Sequence, residues 1–119
     1  MRKIDKQAFP MTVAQYAEAL GTNTMRVYRM SEAGQLKTKP GRPVLILGTV
    51  REAAVSARQW RRAVREAAYY SGLPRHKWGQ DGDATLKVWV GAEAVTIRPG
   101  ATVWALEAAC ERIAALAGK

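Results

Sequence analysis

The sequence AEALGTNTMRVYRM, residues 17–30, contains two helix-forming segments that are separated only by Gly-Thr-Asn. Apolar residues lead into this stretch with the i, i+3, i+4, i+7 spacing of one helix face: Val13, Tyr16, Ala17 and Leu20. Gly21 permits the left-handed backbone that ends a helix, and Asn23 is a good N-cap for the next one. The sequence therefore predicts two helices that meet at a sharp corner, with Val27 and Met30 of the second turned inward.

The charge of the chain narrows the class of partner. The chain has 119 residues, enough for one core, with a formal charge of +9 and a pI of about 10.2. Such a balance favours a polyanion, either nucleic acid or an anionic membrane. Residues 1–50 and 51–77 each contribute +5, whereas residues 78–119 contribute −1, which indicates a division of labour. No apolar run approaches the roughly 18 residues of a membrane-spanning helix, so we expect a soluble protein.

Two further elements follow the helical pair. The segment QLKTKPGRPVLIL, residues 35–47, has an extended run on each side of Pro40-Gly41 and predicts a β-hairpin. Residues 49–71 predict a longer helix that ends at Gly-Leu-Pro. One side of that helix is apolar: Ala53, Trp60, Val64 and Ala67. The opposite side carries four arginines within a narrow arc: Arg51, Arg58, Arg62 and Arg65.

The back of the chain predicts a smaller unit. Residues 74–84 are rich in glycine and turn formers and predict a linker, with Asp81 and Asp83 in a turn. Two strand-like runs then flank Gly91. A last amphipathic helix runs to about Ala117 with one apolar face: Leu106, Ala109, Ile113 and Leu116. This unit is too small to be stable alone, so we expect the face to pack on the front end or on a second copy.

Three short motifs occur in order within residues 11–48, namely TVAQYAEALG, VYR and GQL. Together with the hairpin that follows, this stretch resembles the winged helix-turn-helix of the excisionase and MerR-like DNA-binding families. Thr22 stands where these families usually have an apolar residue. Pro43 would remove an amide from the hairpin ladder and confine it to an edge. The resemblance does not extend to residues 78–119.

With that resemblance, the sequence predicts a mainly helical α+β fold in four parts. They are a winged helix-turn-helix in residues 1–50, a basic amphipathic helix in residues 51–73, a linker in residues 74–84, and a β-hairpin plus helix in residues 85–119.

The resemblance implies roles for residues of the second helix. Those expected to face a DNA major groove are Asn23, Thr24, Arg26 and Arg29, with Tyr28 near a phosphate. Arg26 and Arg29 are the candidates for guanine recognition, because a planar guanidinium meets both acceptors of that base.

The hairpin and the long helix supply the other candidate contacts. Gly41-Arg42-Pro43 is similar to part of an AT-hook, so Arg42 is expected in the minor groove. Lys37 and Lys39 would contact phosphates, and Arg58 and Arg62 would run along flanking phosphates. A solvated surface is the simpler alternative for the lysines and for the arginine face.

The implied function is sequence-specific binding of double-stranded DNA, as a recombination accessory factor or a transcriptional regulator of a phage or mobile element. A recombinase or RNA polymerase would be the protein partner, and a dimer or tandem copies are expected on DNA. The apolar face of the last helix is the candidate interface, and the cytoplasm of a bacterial or phage-infected cell is the expected location. The alternatives are a phage DNA-packaging or assembly protein, and a basic module that binds an acidic protein.

No pattern predicts an enzyme, a cofactor or a metal site. His76 is the only histidine and lies in the predicted linker without an orienting partner. The single cysteine, Cys110, cannot form an internal disulfide and fits a buried position. Four tryptophans could stack on single-stranded bases, but their spacing mostly favours core packing: Trp60, Trp78, Trp89 and Trp104. Trp78 is the exception, because the predicted linker gives it no obvious apolar neighbours.

Overall fold

The structure is a computed structural model that describes residues 9–80 and 85–118. Its helices are α1 (Val13–Leu20), α2 (Thr24–Glu32), α3 (Ala57–Tyr70) and α4 (Val103–Ala117). Its strands are β1 (Met11–Thr12), β2 (Leu36–Lys39), β3 (Leu45–Thr49), β4 (Trp78–Gln80), β5 (Leu86–Val90) and β6 (Glu93–Ile97). They form two antiparallel three-stranded sheets, which confirms the α+β class. None of the described helices is long and apolar enough to cross a membrane.

The corner between α1 and α2 depends on two residues of the Gly-Thr-Asn link. Gly21 has a φ of 80°, which is left-handed, and its amide donates to the Ala17 carbonyl at 2.9 Å. Asn23 caps α2, because its side-chain oxygen accepts a hydrogen bond from the third amide that follows, at 2.9 Å. Val27 and Met30 are fully buried behind the corner. The predicted pair of helices is therefore confirmed.

The first sheet joins the hairpin to the start of the helix pair. β2 and β3 are antiparallel, as predicted, and β1 pairs with β3 to give the order β1-β3-β2. The sequence does not predict β1, because a strand of two residues has no periodicity and forms only through its distant partner. Pro43 lies in the loop before β3, so it removes no amide from the ladder. The strand that follows it is central, not at an edge.

The sequence predicted that the helix α3 begins at residue 49, but it begins at Ala57. Ser56 is its N-cap, and the residues before it run beside the start of α4. There the Trp104 amide donates to the Arg51 carbonyl at 3.0 Å, and the Arg51 guanidinium lies over the Trp104 ring at 4.5 Å. Arg51 and Ala53 therefore do not belong to the helix, because their backbone is held by the distant helix α4.

Residues 75–80 are structured, so the prediction of a linker over residues 74–84 is wrong there. A single 3-10 turn leads into β4, which pairs with β5 in a second sheet of order β4-β5-β6. Trp78 packs against the core, and its indole N–H donates to a backbone carbonyl at 3.3 Å. A short strand of this kind is stabilised by its neighbours more than by its own propensity. The predicted turn at Asp81 and Asp83 lies outside the described residues.

One hydrophobic core runs through both halves of the chain. α3 packs on α4, and the buried Tyr16 hydroxyl of α1 donates to the Glu107 carboxylate of α4 at 3.0 Å. On the apolar face of α4, three residues are 0, 6 and 0% exposed and the fourth is partly buried, in the order Leu106, Ala109, Ile113 and Leu116. The face therefore packs on its own chain, which was one of the two predicted options. The other option, an interface between two copies, is wrong.

The tryptophans divide into two pairs. Trp60 is buried and Trp78 is partly buried, whereas Trp89 and Trp104 are each 41% exposed. Core packing is therefore wrong for the second pair, because Trp89 lies near the turn of the β5–β6 hairpin and Trp104 lies under Arg51 at the surface. Cys110 is buried, as predicted.

The substitution Leu106→Ala is expected to lower the free energy of unfolding by about 2–5 kcal/mol, because it leaves a cavity in the core. The mass in solution should not change, since the face is covered by its own chain. Arg112→Ala, on the exposed side of the same helix, is the control and should change stability by less than about 0.5 kcal/mol. Chemical denaturation and light scattering measure the two quantities. A changed mass at unchanged stability would contradict this assignment.

Candidate nucleic-acid interface

Five residues of α2 are exposed and form its outward face: Thr24, Met25, Tyr28, Arg29 and, at the end of the helix, Glu32. The exposed fractions of Met25 and Tyr28 are 62% and 50%, which is high for such large side chains. At about 100° per residue, Thr24 and Tyr28 form one edge of this face, Met25 and Arg29 form the other, and Glu32 lies between them in the last turn. The helix therefore presents two distinct edges to solvent.

The edge with Thr24 and Tyr28 lies beside the loop of the β2–β3 hairpin. An open cleft of about 450 Å³ separates them, and its far wall is formed by the loop residues Gly41, Arg42 and Pro43. Arg42 is exposed at the hairpin tip. The structure thus brings together two of the predicted contact regions, the second helix and the tip of the hairpin.

The edge with Met25 and Arg29 lies beside α3. A second open cleft, of about 340 Å³, is lined on its α3 side by Arg62 and Arg65. The arginines of α3 are exposed and, at about 100° per residue, fall within a quarter to a third of the helix circumference: Arg58, Arg61, Arg62 and Arg65. This set differs from the predicted one in two residues. Arg61 belongs to it, as its spacing in the sequence could have shown, and Arg51 does not, because it lies outside the helix.

Arg26 is not available to a DNA base, which corrects its predicted role. Its side chain is only 6% exposed, and its guanidinium donates two hydrogen bonds to Glu66 of α3. Nε lies 3.0 Å from Oε2 and Nη2 lies 2.8 Å from Oε1, the fork geometry of a strong charged pair. The residue lies on the flank of α2 that packs on α3. Sequence spacing alone could not find this contact, because the two partners are far apart in the chain.

Glu66 connects the corner and α2 to α3. Besides Arg26, it accepts a hydrogen bond from the Thr22 hydroxyl at 2.9 Å, which explains a polar residue at that position of the turn. Burial by itself would raise the pKa of Glu66. The hydrogen bonds from Arg26 and Thr22, with the charges of Arg26 and Arg29, outweigh it and hold the pKa below its ordinary value. Glu66 is therefore ionised at neutral pH.

Three other residues were predicted to contact DNA: Asn23, Lys37 and Lys39. Asn23 is partly buried, since its side-chain oxygen caps α2, and its amide nitrogen lies 3.5 Å from the Tyr70 hydroxyl. Lys37 and Lys39 are exposed on β2, and neither lines the two clefts. Asn23 therefore caps α2 at the corner, whereas the two lysines lie on β2, outside both clefts.

The described residues contain no group of three or more His, Cys, Asp or Glu side chains that could hold a metal ion. His76 is exposed in the 3-10 turn. No protein-family model, curated protein or solved structure matches the chain. The function is therefore argued from the charge and geometry of the two clefts and the face between them.

The substitution Glu66→Gln is expected to lower the free energy of unfolding at neutral pH by about 1–3 kcal/mol, because Arg26 keeps its charge in a mostly buried site and loses its charged partner. Since the folded-state pKa of Glu66 lies below its unfolded value of 4.5, its stabilisation is present above that pH and falls away as the pH drops through the folded-state pKa. The difference between wild type and variant should therefore shrink in acid.

Denaturant titrations at several pH values measure this difference. Glu52→Gln, which removes an exposed carboxylate, is the control and should show no such trend. A loss of stability that is the same at neutral and acidic pH would contradict the role of the ionised carboxylate.

Proposed function

We propose that the chain binds double-stranded DNA, with α2 in the major groove, the hairpin tip in the adjacent minor groove and the arginines of α3 along the phosphates. The observation that carries this proposal is the position of α2. Its exposed face lies between the Arg42 loop on one side and Arg62 and Arg65 on the other. Three elements that suit three parts of a duplex therefore lie next to one another.

Three of the exposed side chains of α2, those of Thr24, Met25 and Tyr28, suit base edges. The major groove of B-DNA admits one α-helix, and residues near the start of a recognition helix reach the bases. Thr24 stands in the first turn and offers a hydroxyl that both donates and accepts. Met25 offers an apolar contact of the kind that a thymine methyl group makes. Tyr28, one turn later on the same edge as Thr24, extends the contact toward the hairpin, and we assign it to a base edge in place of the phosphate contact that the resemblance implied.

The hairpin supports contact with the minor groove. The loop from residue 40 to residue 44 is short, and Arg42 is exposed within it. Arginine is attracted to narrow minor grooves, because negative potential is concentrated there. The adjacent strand β2 carries Lys37 and Lys39, which are exposed and can contact the phosphates on either side of that groove.

The order of elements agrees with the resemblance to the winged helix-turn-helix. A short strand, a helix, a three-residue turn, a second helix and a β-hairpin follow one another between residues 11 and 49. A recombination accessory factor and a transcriptional regulator would both use this binding step. Since one module covers few base pairs, we propose that two or more copies bind adjacent sites, without using the buried face of α4.

Selection from a random-sequence duplex pool is expected to enrich a motif at about 0.15 M salt. Thr24→Ala with Tyr28→Ala should weaken binding to the enriched site by about 1–3 kcal/mol for each lost base contact and leave binding to random DNA nearly unchanged. Thr96→Ala, on an exposed position of β6, is the matched control. Retention of duplexes without enrichment would favour a packaging or architectural role. No retention would refute the proposal and favour an acidic protein partner.

The substitution Arg42→Ala is expected to remove a preference for A·T-rich sequence beside the enriched site, because the narrow minor groove loses its cationic partner. The affinity ratio between A·T-flanked and G·C-flanked duplexes, measured by fluorescence anisotropy, should fall toward one. Arg98→Ala, also exposed, should leave that ratio unchanged. An equal loss of affinity for both duplexes would show that Arg42 contacts only phosphate.

A further inference from the structure

The cleft between α2 and α3 is rich in positive charge. Four arginines line it, Arg26 and Arg29 from α2 and Arg62 and Arg65 from α3. Its volume is about 340 Å³, and it is open to solvent. Both helices therefore contribute arginines to the same cleft.

The one carboxylate in the lining of this cleft is already satisfied. Glu66 accepts from Arg26 on Oε1, and from Arg26 and Thr22 on Oε2. The charges of Arg26 and Glu66 cancel, which leaves three positive charges in the cleft without a carboxylate of their own in its lining. Like charges that line one cleft repel one another, and an anion between them would reduce the repulsion.

We infer that this cleft binds one phosphate group, held from both sides by Arg29, Arg62 and Arg65. The inference rests on the proposed function, which makes that group a phosphodiester of the DNA backbone. Guanidinium groups suit it, because their planar forks donate parallel hydrogen bonds to two phosphate oxygens.

This inference changes the role of Arg29. At about 100° per residue, Arg29 lies some 100° away from Tyr28 around α2, on the edge that faces α3. Its guanidinium is 3.9 Å from the Met25 sulfur on that same edge, and its charge acts on Glu66. Arg29 is therefore a phosphate ligand and not the guanine contact that the sequence predicted. A phosphate held between two helices would also determine how far α2 enters the groove.

The salt dependence of DNA binding tests how many phosphates the three arginines contact. For duplex DNA, the logarithm of the affinity falls with that of the salt concentration by about 0.9 for each phosphate neutralised. The triple variant Arg29→Gln, Arg62→Gln, Arg65→Gln should therefore reduce the slope by about 0.9, for one shared phosphate. The control has the same net charge and replaces three exposed arginines that do not line the cleft: Arg75, Arg98 and Arg112.

The control should reduce the slope by less than the triple variant. A reduction near 2.7 would mean that each arginine has its own phosphate and would overturn the shared site. Equal slopes for the triple variant and the control would overturn the inference as well, while duplex binding by the wild type would keep the proposed function. If Arg29→Gln alone changed which base is selected and left the slope unchanged, its role as a phosphate ligand would be wrong.

A second measurement separates the phosphate site from DNA binding. Orthophosphate is titrated at constant ionic strength while the Nε–H signals of the arginines are followed by NMR. The signals of Arg29, Arg62 and Arg65 should shift together and saturate, and those of Arg98 and Arg112 should not. Uniform or non-saturating shifts would overturn the site. If the wild type bound no duplex but showed saturable shifts, the proposed function would fail and a free phosphorylated ligand would take the place of DNA.

Discussion

The ion pair between Arg26 and Glu66 determines which residues of α2 face outward. Arg26 is 6% exposed, and removing its partner would leave a nearly buried charge, which folded proteins avoid. The pair therefore holds α2 at one rotation against α3, with Thr22 bound to the same carboxylate. That rotation directs Thr24 and Tyr28 toward the hairpin and Arg29 toward α3. The rotation of α2 therefore determines which residues line each cleft and which form the face between the clefts.

The back of the chain supports this arrangement. Residues 51–55 run beside the start of α4 through backbone hydrogen bonds, and the buried contact between Tyr16 and Glu107 ties α1 to α4. α3 is thus held on one side by the apolar face of α4, and its opposite side carries the exposed arginines. The helix α4, which belongs to the nearly neutral segment of residues 78–119, therefore keeps the basic helix α3 in place beside the corner.

Local signals account for what the sequence could predict. The corner at Gly21, the cap at Asn23, the hairpin around residues 40 and 41 and the apolar face of α4 all depend on neighbours within a few positions. The two shortest strands and the late start of α3 depend on partners far along the chain, as does the burial of Arg26. Composition and spacing carry no information about such pairs. The sequence therefore places Arg26 on the DNA face and leaves open whether the α4 face packs on its own chain or on a second copy.

The most direct test of the account is NMR mapping of backbone amides while a short random-sequence duplex is added. The account predicts that shifts concentrate on the exposed face of α2, on the loop around Arg42 and on the arginine side of α3. The β5–β6 hairpin, with its exposed Trp89, should stay unchanged. Shifts centred on that hairpin, or none at a duplex concentration well above that of the protein, would contradict the proposed face.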